Sequence, residues 1–372
     1  MDELNIVTLK EIYPKVIVDQ FFKASPQLAY FRDHCMVPFG GGSFMQNTWL
    51  YAPMIGGAYA QGATWNITKR ETLGATFFDP KYYEVSVPEY KEQIQVQNKG
   101  PLAVFSLVDT DLRNGMNTIS AITAIACNQH GQAAGATVAG NRVLEMNGFP
   151  EAINDGVNPS YDGNVYPVYG GRTRNGIIGG ALNSTPLWGG NPDGSLGMIQ
   201  YPFMEMMYQT ASIGNLEPDL IVGNKAIYAY MKERLEVKQR LQQERDPIWG
   251  AMGFRFNSAM VLKDDYFPSL KFGVNDPNIG NYLTGSFVVP ASATAASGLP
   301  TPGTTVTVGE VLVMYNTQNI LFRLSDDPEY GYGWTGFKPA QDNSRVVGQI
   351  LAAQNMEFPS VRLHAQAYGF GA

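Results

Sequence analysis

Residues 101–130 read PLAVFSLVDTDLRNGMNTISAITAIACNQH, and this stretch has the strongest helical pattern in the chain. Proline stands at 101, where the first turn of a helix tolerates it, and apolar residues then recur at near-helical spacing over a broad face. A helix over the full stretch would be about 45 Å long, at 1.5 Å per residue. Gly131 marks its end or a break. The sequence therefore predicts one long helix that is covered on more than one side.

The residues before this helix have a strand pattern. Residues 83–87 alternate apolar and polar side chains, which is the period of two typical of a strand. Residues 64–68 are also strand-like, and with residues 69–74 as the connection the two runs predict a long hairpin. Because a lone two-stranded hairpin is marginal in water, we expect this one to lie against another surface, of its own chain or of a neighbour.

The first fifty residues have the pattern of an arm. Helical hints are cut by Pro14, Pro26 and Pro38, and a glycine run at 40–42 follows the last proline. Such a segment is expected to consist of short helices joined by extended chain, with apolar residues that need something to lie against.

The second half of the chain is richer in turns and strands. Residues 148–200 are loop-rich, with many Gly, Asn, Pro and Tyr. The elements predicted after them are a buried strand at 218–222, a helix over 225–245, short strands at 254–256 and 260–262, a loop at 291–307, a strand pair within 311–324, and a half-buried strand at 361–368.

Composition narrows the function classes. Charged residues make up 16% of the 372, against about 25% in typical soluble domains. The formal net charge of −7 argues against a protein that binds nucleic acid by broad phosphate neutralisation. A shortage of charged residues is expected where copies of the same chain cover the surface. Cys35 and Cys127 are too few for a disulfide framework, so we expect reduced thiols.

Targeting and membrane signals are weak in this sequence. The N-terminus carries Asp2 and Glu3, where a signal peptide would be basic. The uncharged stretch 114–141 is long enough to cross a bilayer, but it contains polar residues such as Asn117, Asn128 and His130. The expectation is a soluble protein made inside the cell.

Motifs for catalysis or cofactor binding are unconvincing. Residues 331–336 form a GxGxxG, but prolines at 328 and 339 flank it, so we expect no helix N-terminus facing a phosphate. The chain has no GxxxxGK[ST], HExxH or GxSxG motif. His34, His130 and His364 are too scattered for a metal-binding spacing. The sequence therefore predicts no catalytic residue, cofactor or metal site, while an ion at an interface stays open.

Three aromatic residues near the predicted hairpin allow two interpretations. Tyr51, Tyr59 and Trp65 could form a platform for a sugar, or they could be anchors at an interface between subunits. The first interpretation belongs to a glycan-active, β-rich enzyme, which would need a carboxylate pair facing an aromatic groove. Asp109 and Asp111 would not make such a pair, because residues two apart on a helix point to different faces.

Short motifs in a fixed order carry a resemblance to a known family. They are DQFF (19–22), SPQLA (25–29), FGGG (39–42), WLY (49–51), ATFF (75–78), VSV (85–87), NKG (98–100), PDLIV (218–222), WGAMGF (249–254), VLVMYN (311–316) and FKP (337–339). Together they resemble the major capsid proteins of tailed bacteriophages, whose fold is shared with herpesvirus capsid floors and encapsulins. Each motif is weak alone, but their shared order spans nearly the whole chain.

The resemblance implies an α+β phage major capsid protein fold with four parts. These are an N-terminal arm (1–48), an extended β-hairpin loop (49–92), a peripheral domain built around a long spine helix (93–148 and 319–372), and an axial domain (149–318). It also implies contacts between subunits at Phe21 and Phe22 of the arm and at Tyr59, Trp65, Lys69 and Arg70 of the extended loop.

The implied function is structural, without catalysis or cofactor. The chain would self-assemble into pentamers and hexamers of an icosahedral head shell that encloses double-stranded DNA without reading its sequence. A scaffolding protein, a portal and decoration proteins are the implied partners, and the virion capsid, assembled in the host bacterial cytoplasm, is the implied location. Two alternatives are an encapsulin-type compartment and, from another class, the glycan-active enzyme.

Overall fold

The computed structural model describes residues 25–65, 67–92, 107–131, 144–174, 182–184, 186–188, 201–236, 243–245, 252–267, 275–276, 280–281, 286–289, 291, 301–307, 309–339 and 344–370. Over these residues the fold is a mixed α+β fold, as predicted.

The helices within these ranges are α1 (Pro26–His34), α2 (Leu107–Cys127), α3 (Phe149–Ala152), α4 (Tyr201–Thr210) and α5 (Lys225–Glu236), with single 3-10 turns at Thr317–Asn319 and Val361–Leu363. The first strands are β1 (Met36–Phe39), β2 (Met45–Leu50), β3 (Leu73–Phe78), β4 (Lys81–Tyr90), β5 (Val168–Tyr169), β6 (Arg172–Thr173) and β7 (Leu187–Trp188). The next are β8 (Leu220–Gly223), β9 (Gln243–Arg245), β10 (Met252–Phe256), β11 (Ala259–Lys263), β12 (Asn275–Asp276), β13 (Gly280–Asn281) and β14 (Ser286–Val288). The last are β15 (Thr305–Thr307), β16 (Glu310–Tyr315), β17 (Leu321–Ser325), β18 (Gly331–Trp334), β19 (Lys338–Pro339), β20 (Arg345–Glu357) and β21 (Ala365–Phe370).

The described part of the arm is a helix followed by an edge strand. Helix α1 begins at Pro26, and the hydroxyl of Ser25 caps it by accepting the N–H of Leu28 at 3.3 Å. Strand β1 pairs in parallel with β17 at the end of a sheet, where Pro38 is tolerated because an edge strand can spare a donor. The arm residues before 25, including Phe21 and Phe22, lie outside the described residues.

A six-stranded sheet is built around the 13-residue strand β20. Strand β4 pairs with one edge of β20 over ten residues, from Tyr90 opposite Arg345 to Lys81 opposite Gln354. Strands β19, β18 and β17 pair in turn along the other edge. The predicted alternation at 83–87 is confirmed as part of β4, whose side chains point alternately to a covered and an exposed face.

Helix α2 packs on the covered face of this sheet and confirms the predicted helix. Ile119 of α2 clusters with Val87 of β4 and Ile350 of β20, and these three are at most 5% exposed. At Gly115 the contact is close, because a Cβ there would lie 2.8 Å from the Cδ1 of Ile350. The predicted residues before 107 lie outside the described residues.

A seven-stranded sheet has the order β7-β21-β16-β8-β11-β10-β9. Every residue of its central strands β8, β16 and β21 is buried. Alternate residues of β16 enter two different cores: Val313 and Tyr315 face one, and Leu312 and Met314 face the other. The first core also contains Phe31 of α1 and residues of the six-stranded sheet, so the two sheets share it.

Three predictions about strands in the second half were wrong. Residues 311–324 are not a strand pair, because β16 belongs to the seven-stranded sheet and β17 to the six-stranded one. Residues 361–368 are not a half-buried strand: 361–363 form a 3-10 turn, and β21 is buried on both faces because the two cores enclose it. Residues 305–307, predicted as loop, form β15 against β14.

The helix predicted over 225–245 was too long. Helix α5 ends at Glu236, and residues 243–245 form strand β9, which pairs antiparallel with β10. Backbone pairing with a neighbouring strand overrides the helical propensity of this charged segment. The GxGxxG at 331–336 opens no helix, as predicted; it begins as strand β18 beside β20.

Candidate assembly surface

The extended hairpin is formed by β2 and β3, which pair in register from Met45 opposite Phe78 to Leu50 opposite Leu73. We call residues 51–72 the hairpin tip and the paired strands the hairpin base. The predicted pairing was wrong: residues 64–68 are not a strand in the described tip, and 83–87 pair with β20. Strand β4, which contains residues 83–87, pairs with β20 at ten positions, and the hairpin is formed by β2 and β3 instead.

A buried carboxylate holds one side of the hairpin base. Asn47 of β2, 6% exposed, donates its Nδ2 to Oε2 of Glu357 at 2.6 Å. Arg323 of β17 approaches the same oxygen with its Nε at 3.5 Å. Burial raises the pKa of Glu357, and the charge of Arg323 and the bond from Asn47 act against that rise. These contacts link the hairpin to the far end of β20.

A tight backbone contact holds the other side of the hairpin base. The N–H of Phe77 donates to the carbonyl of Gly170 at 3.0 Å, and Nε of Arg172 donates to the carbonyl of Ala75 at 3.0 Å. Gly170 has φ +53°, and a Cβ on it would lie 2.5 Å from the Cβ of Thr76. Only glycine therefore allows the β5–β6 turn to approach β3 this closely.

The hairpin exposes a large apolar surface. Ile67 is 91% exposed, and Met54, Leu50 and Leu73 are 70–73% exposed. Monomeric proteins rarely leave large contiguous apolar patches in water, so such a surface is typical of an interaction site. Tyr59 and Trp65, each 68% exposed, add a ring pair with centroids 5.9 Å apart.

Four of the six predicted contact residues lie in the hairpin tip, where their positions are near one another in the sequence. Tyr59 and Trp65 form the ring pair, Lys69 is exposed and Arg70 is partly exposed, all within the hairpin tip. Phe21 and Phe22 are outside the described residues. The residues that hold the base, Asn47, Glu357 and Gly170, were not predicted, because Asn47 and Glu357 are 310 positions apart and leave no local signal.

The structure shows the surroundings of several side chains of the types that serve metal binding or catalysis. Within the described residues no group of three or more His, Cys, Asp or Glu side chains is placed to hold a metal ion. His364 is enclosed, and burial lowers its pKa to about 3, so it is neutral at physiological pH. Asp155 accepts the N–H groups of Val157 and Asn158 in a turn of its own segment.

Sequence comparison finds no relative. No protein-family profile matches the chain, and no curated protein matches it. Within the described helices, none is long and apolar enough to cross a bilayer.

Structure comparison does find similar proteins. A capsid protein of cyanophage A-1(L) is similar with a TM-score of 0.63 and 10% identity, and the match covers 98% of each chain. A capsid protein of a native GTA particle is similar with a TM-score of 0.56 and 8% identity, over 97% of this chain and 96% of the other. This chain has the phage capsid fold.

A third solved structure also has a similar fold. A protein of Mycobacterium phage Ogopogo matches with a TM-score of 0.50 and 12% identity over 99% of each chain. Identities of this size establish the fold alone. Among the described residues of this fold, the hairpin carries several of the most exposed apolar side chains, including Ile67 and Met54.

Proposed function

We propose that this chain is the major capsid protein of a tailed bacteriophage. It assembles into pentamers and hexamers of an icosahedral head that encloses double-stranded DNA, and it has no catalytic activity. The proposal is supported above all by the similarity of fold to capsid proteins, which extends over 96–98% of both chains.

In this proposal each part of the chain has a place in the shell. The arm (1–48) crosses neighbouring subunits, and the extended loop (49–92) lies over an adjacent subunit. The peripheral domain (93–148 and 319–372) contains α2 as the spine helix, and the axial domain (149–318) points at the symmetry axis of the capsomer. Many copies multiply each weak contact, so single interfaces need not be tight.

The hairpin tip supports the assignment of the extended loop. Its apolar residues need cover, and the described part of the chain leaves them exposed. In the proposal Tyr59 and Trp65 are buried against a neighbouring subunit, while Lys69 and Arg70 meet its acidic surface. The net charge of −7 per subunit, repeated over a shell, keeps the enclosed DNA from adhering to the wall.

The partners and location follow from the same proposal. A scaffolding protein guides assembly in the bacterial cytoplasm, a portal occupies one vertex, and decoration proteins bind the finished shell. The mature location is the virion.

Expression of the chain alone and together with products of neighbouring genes tests the proposal. Sedimentation and electron microscopy would detect closed shells, tubes or five- and six-membered rings, which we expect. A uniform monomer or dimer under every condition would contradict capsid building and would favour an assay for glycan-active chemistry.

The contact residues are tested by substitution. We expect Trp65→Ala and Ile67→Ser to leave the subunit folded, as judged by circular dichroism, and to reduce shell yield. Ile213→Ser is the matched control, since Ile213 is 43% exposed but lies outside the hairpin. Normal shells from both hairpin variants would remove the assignment of the hairpin tip, and equal losses in all three would show that the effect is not specific to it.

A further inference from the structure

A cleft of about 360 Å³ separates strand β4 from helix α2 at one end of their contact. Residues 85–90 line one wall, and Asp111, Asn114, Gly115 and Thr118 line the other. At Gly115 the helix lies close to the sheet, since a Cβ there would lie 3.2 Å from Cγ2 of Val87, and a cleft of this volume can hold water.

Two carboxyl groups meet in this cleft. Glu89 of β4 is 3% exposed and is hydrogen-bonded to Asp111 of α2. Two carboxyl groups can form a hydrogen bond only if one of them holds a proton. Burial, the bond to Asp111 and the charge of Asp111 together raise the pKa of Glu89 to about 8. At neutral pH the pair therefore shares one proton.

No described cation contributes to the raised pKa of Glu89, and Lys91, two positions further along the chain, is exposed to solvent. Opposite Glu89, strand β20 presents Val346. The neighbouring Arg345 lies on the other face of the sheet, where its Nη2 donates to the hydroxyl of Tyr90 at 2.7 Å. Lys81 shares the face of Glu89 but lies eight residues along β4, about 27 Å away in an extended strand.

The charged residues that flank Asp111 on helix α2 face solvent. Asp109 and Arg113, the neighbours of Asp111 on α2, are exposed. Helix α1 contacts α2 further along, where Arg32 donates to Ser120 at 3.5 Å. Strand β18 reaches α2 through the hydroxyl of Tyr332, which lies 3.4 Å from the hydroxyl of Thr123.

We propose that Glu89 and Asp111 form a proton-binding site that links helix α2 to strand β4, and that loss of the shared proton opens the cleft between them. With the proton in place, an O–H of one carboxyl donates to an oxygen of the other, which is a direct bond between the two elements. When the proton leaves to water, two negative charges face each other, one of them on the buried side chain of Glu89. Repulsion then separates this end of the helix, and water enters the widened cleft.

The direction of the pH effect follows from proton linkage. The open form has the ordinary Glu pKa, and the closed form has the raised one, so the closed form binds more protons between them. The link is fully present below the ordinary Glu pKa and is lost as pH rises towards about 8. Above that pH both forms are deprotonated, and the opening equilibrium becomes constant.

Amide hydrogen exchange on the purified full chain tests this site. Peptides from β4 and α2 are compared at steps from pH 5 to pH 9, after correction for the intrinsic pH dependence of exchange. For the wild type, we expect protection to fall by up to about tenfold per pH unit below about pH 8 and then to level off. This measurement needs no shell, so its failure is distinct from failure of the proposed capsid function.

Isosteric variants separate the proton link from simple packing. Glu89→Gln donates the same hydrogen bond without titrating, so its protection should stay high and lose the pH dependence. Asp111→Asn should also remove the steep dependence. Glu84→Gln is the matched control on the exposed face of β4 and should behave as wild type. A wild-type pH profile in Glu89→Gln would overturn the proposal, and so would protection in the wild type that does not change with pH.

Discussion

Replacing Gly170 by alanine is expected to detach the hairpin base from the body of the subunit. The carbonyl of Gly170 accepts the N–H of Phe77, and the β5–β6 turn touches β3 directly. A Cβ at 170 would lie 2.5 Å from the Cβ of Thr76 and 2.9 Å from Cζ of Phe78. The Cβ of Thr76 cannot rotate away, so backbone must move.

Two costs combine at this position. Gly170 has φ +53°, and a residue with a Cβ costs about 1–2 kcal/mol in that left-handed region. Overpacking a tight contact costs about 1–3 kcal/mol more. The sum, about 2–5 kcal/mol, is an upper value, because the hairpin can undock locally before the chain unfolds.

A second glycine separates the two costs. Gly214 has φ +63°, and nothing lies within 4 Å of the position of its Cβ. Gly214→Ala should therefore show only the conformational cost of about 1–2 kcal/mol. Urea unfolding followed by circular dichroism compares the two variants, and amide exchange in peptides covering β2 and β3 locates the effect.

Gly170→Ala must lower the unfolding midpoint or the protection of the hairpin more than Gly214→Ala does. It should also reduce shell yield if the hairpin positions a contact between subunits. Equal effects of the two substitutions on stability and hairpin protection would refute the steric argument.

Three further perturbations test other parts of the structure. Gly115→Ala should change the free energy of unfolding by less than about 1 kcal/mol, because better helix propensity offsets the shift of the Ile350 methyl. Gly115→Leu should lower the free energy of unfolding, measured in urea, by about 1–3 kcal/mol. Equal stability of the two variants would contradict the packing. Burial raises the pKa of Cys35 to about 12 and also raises the pKa of Cys127. Neither thiol should therefore react with a thiol reagent until the chain is unfolded in urea, and fast labelling of the folded chain would contradict their burial. Asn47→Asp places a second carboxylate beside Glu357, so unfolding midpoints should fall at pH 8 and recover at pH 5, where a proton restores the bond; a loss that is the same at both pH values would contradict this.

Local patterns in the sequence predicted the elements whose surroundings are simple. Helix α2 has a sustained apolar spacing, and β4 alternates because one of its faces is covered and the other is exposed. The buried strand predicted at 218–222 is confirmed as β8, which spans Leu220–Gly223. In each case the pattern reports directly how the side chains are partitioned between core and water.

Long-range partners were beyond these patterns. Strand β21 alternates in sequence like a half-exposed strand, yet Gln366 is buried with the rest because its Nε2 donates to Ser160 at 2.7 Å. Periodicity indicates which face of a strand is buried but not which element packs on that face, so the assignment of β16 and β17 to different sheets was also missed.

The sequence by itself determined the long helix, the alternating strand beside it and the scarcity of catalytic motifs, because these depend on neighbours within a few residues; the α+β class was implied by the resemblance. Only the tertiary structure decided which strands form the hairpin, how Gly170 and Glu357 hold its base, and that Glu89 meets Asp111. Those contacts join residues far apart in the chain, and their energy comes from burial and close approach, which no local pattern records.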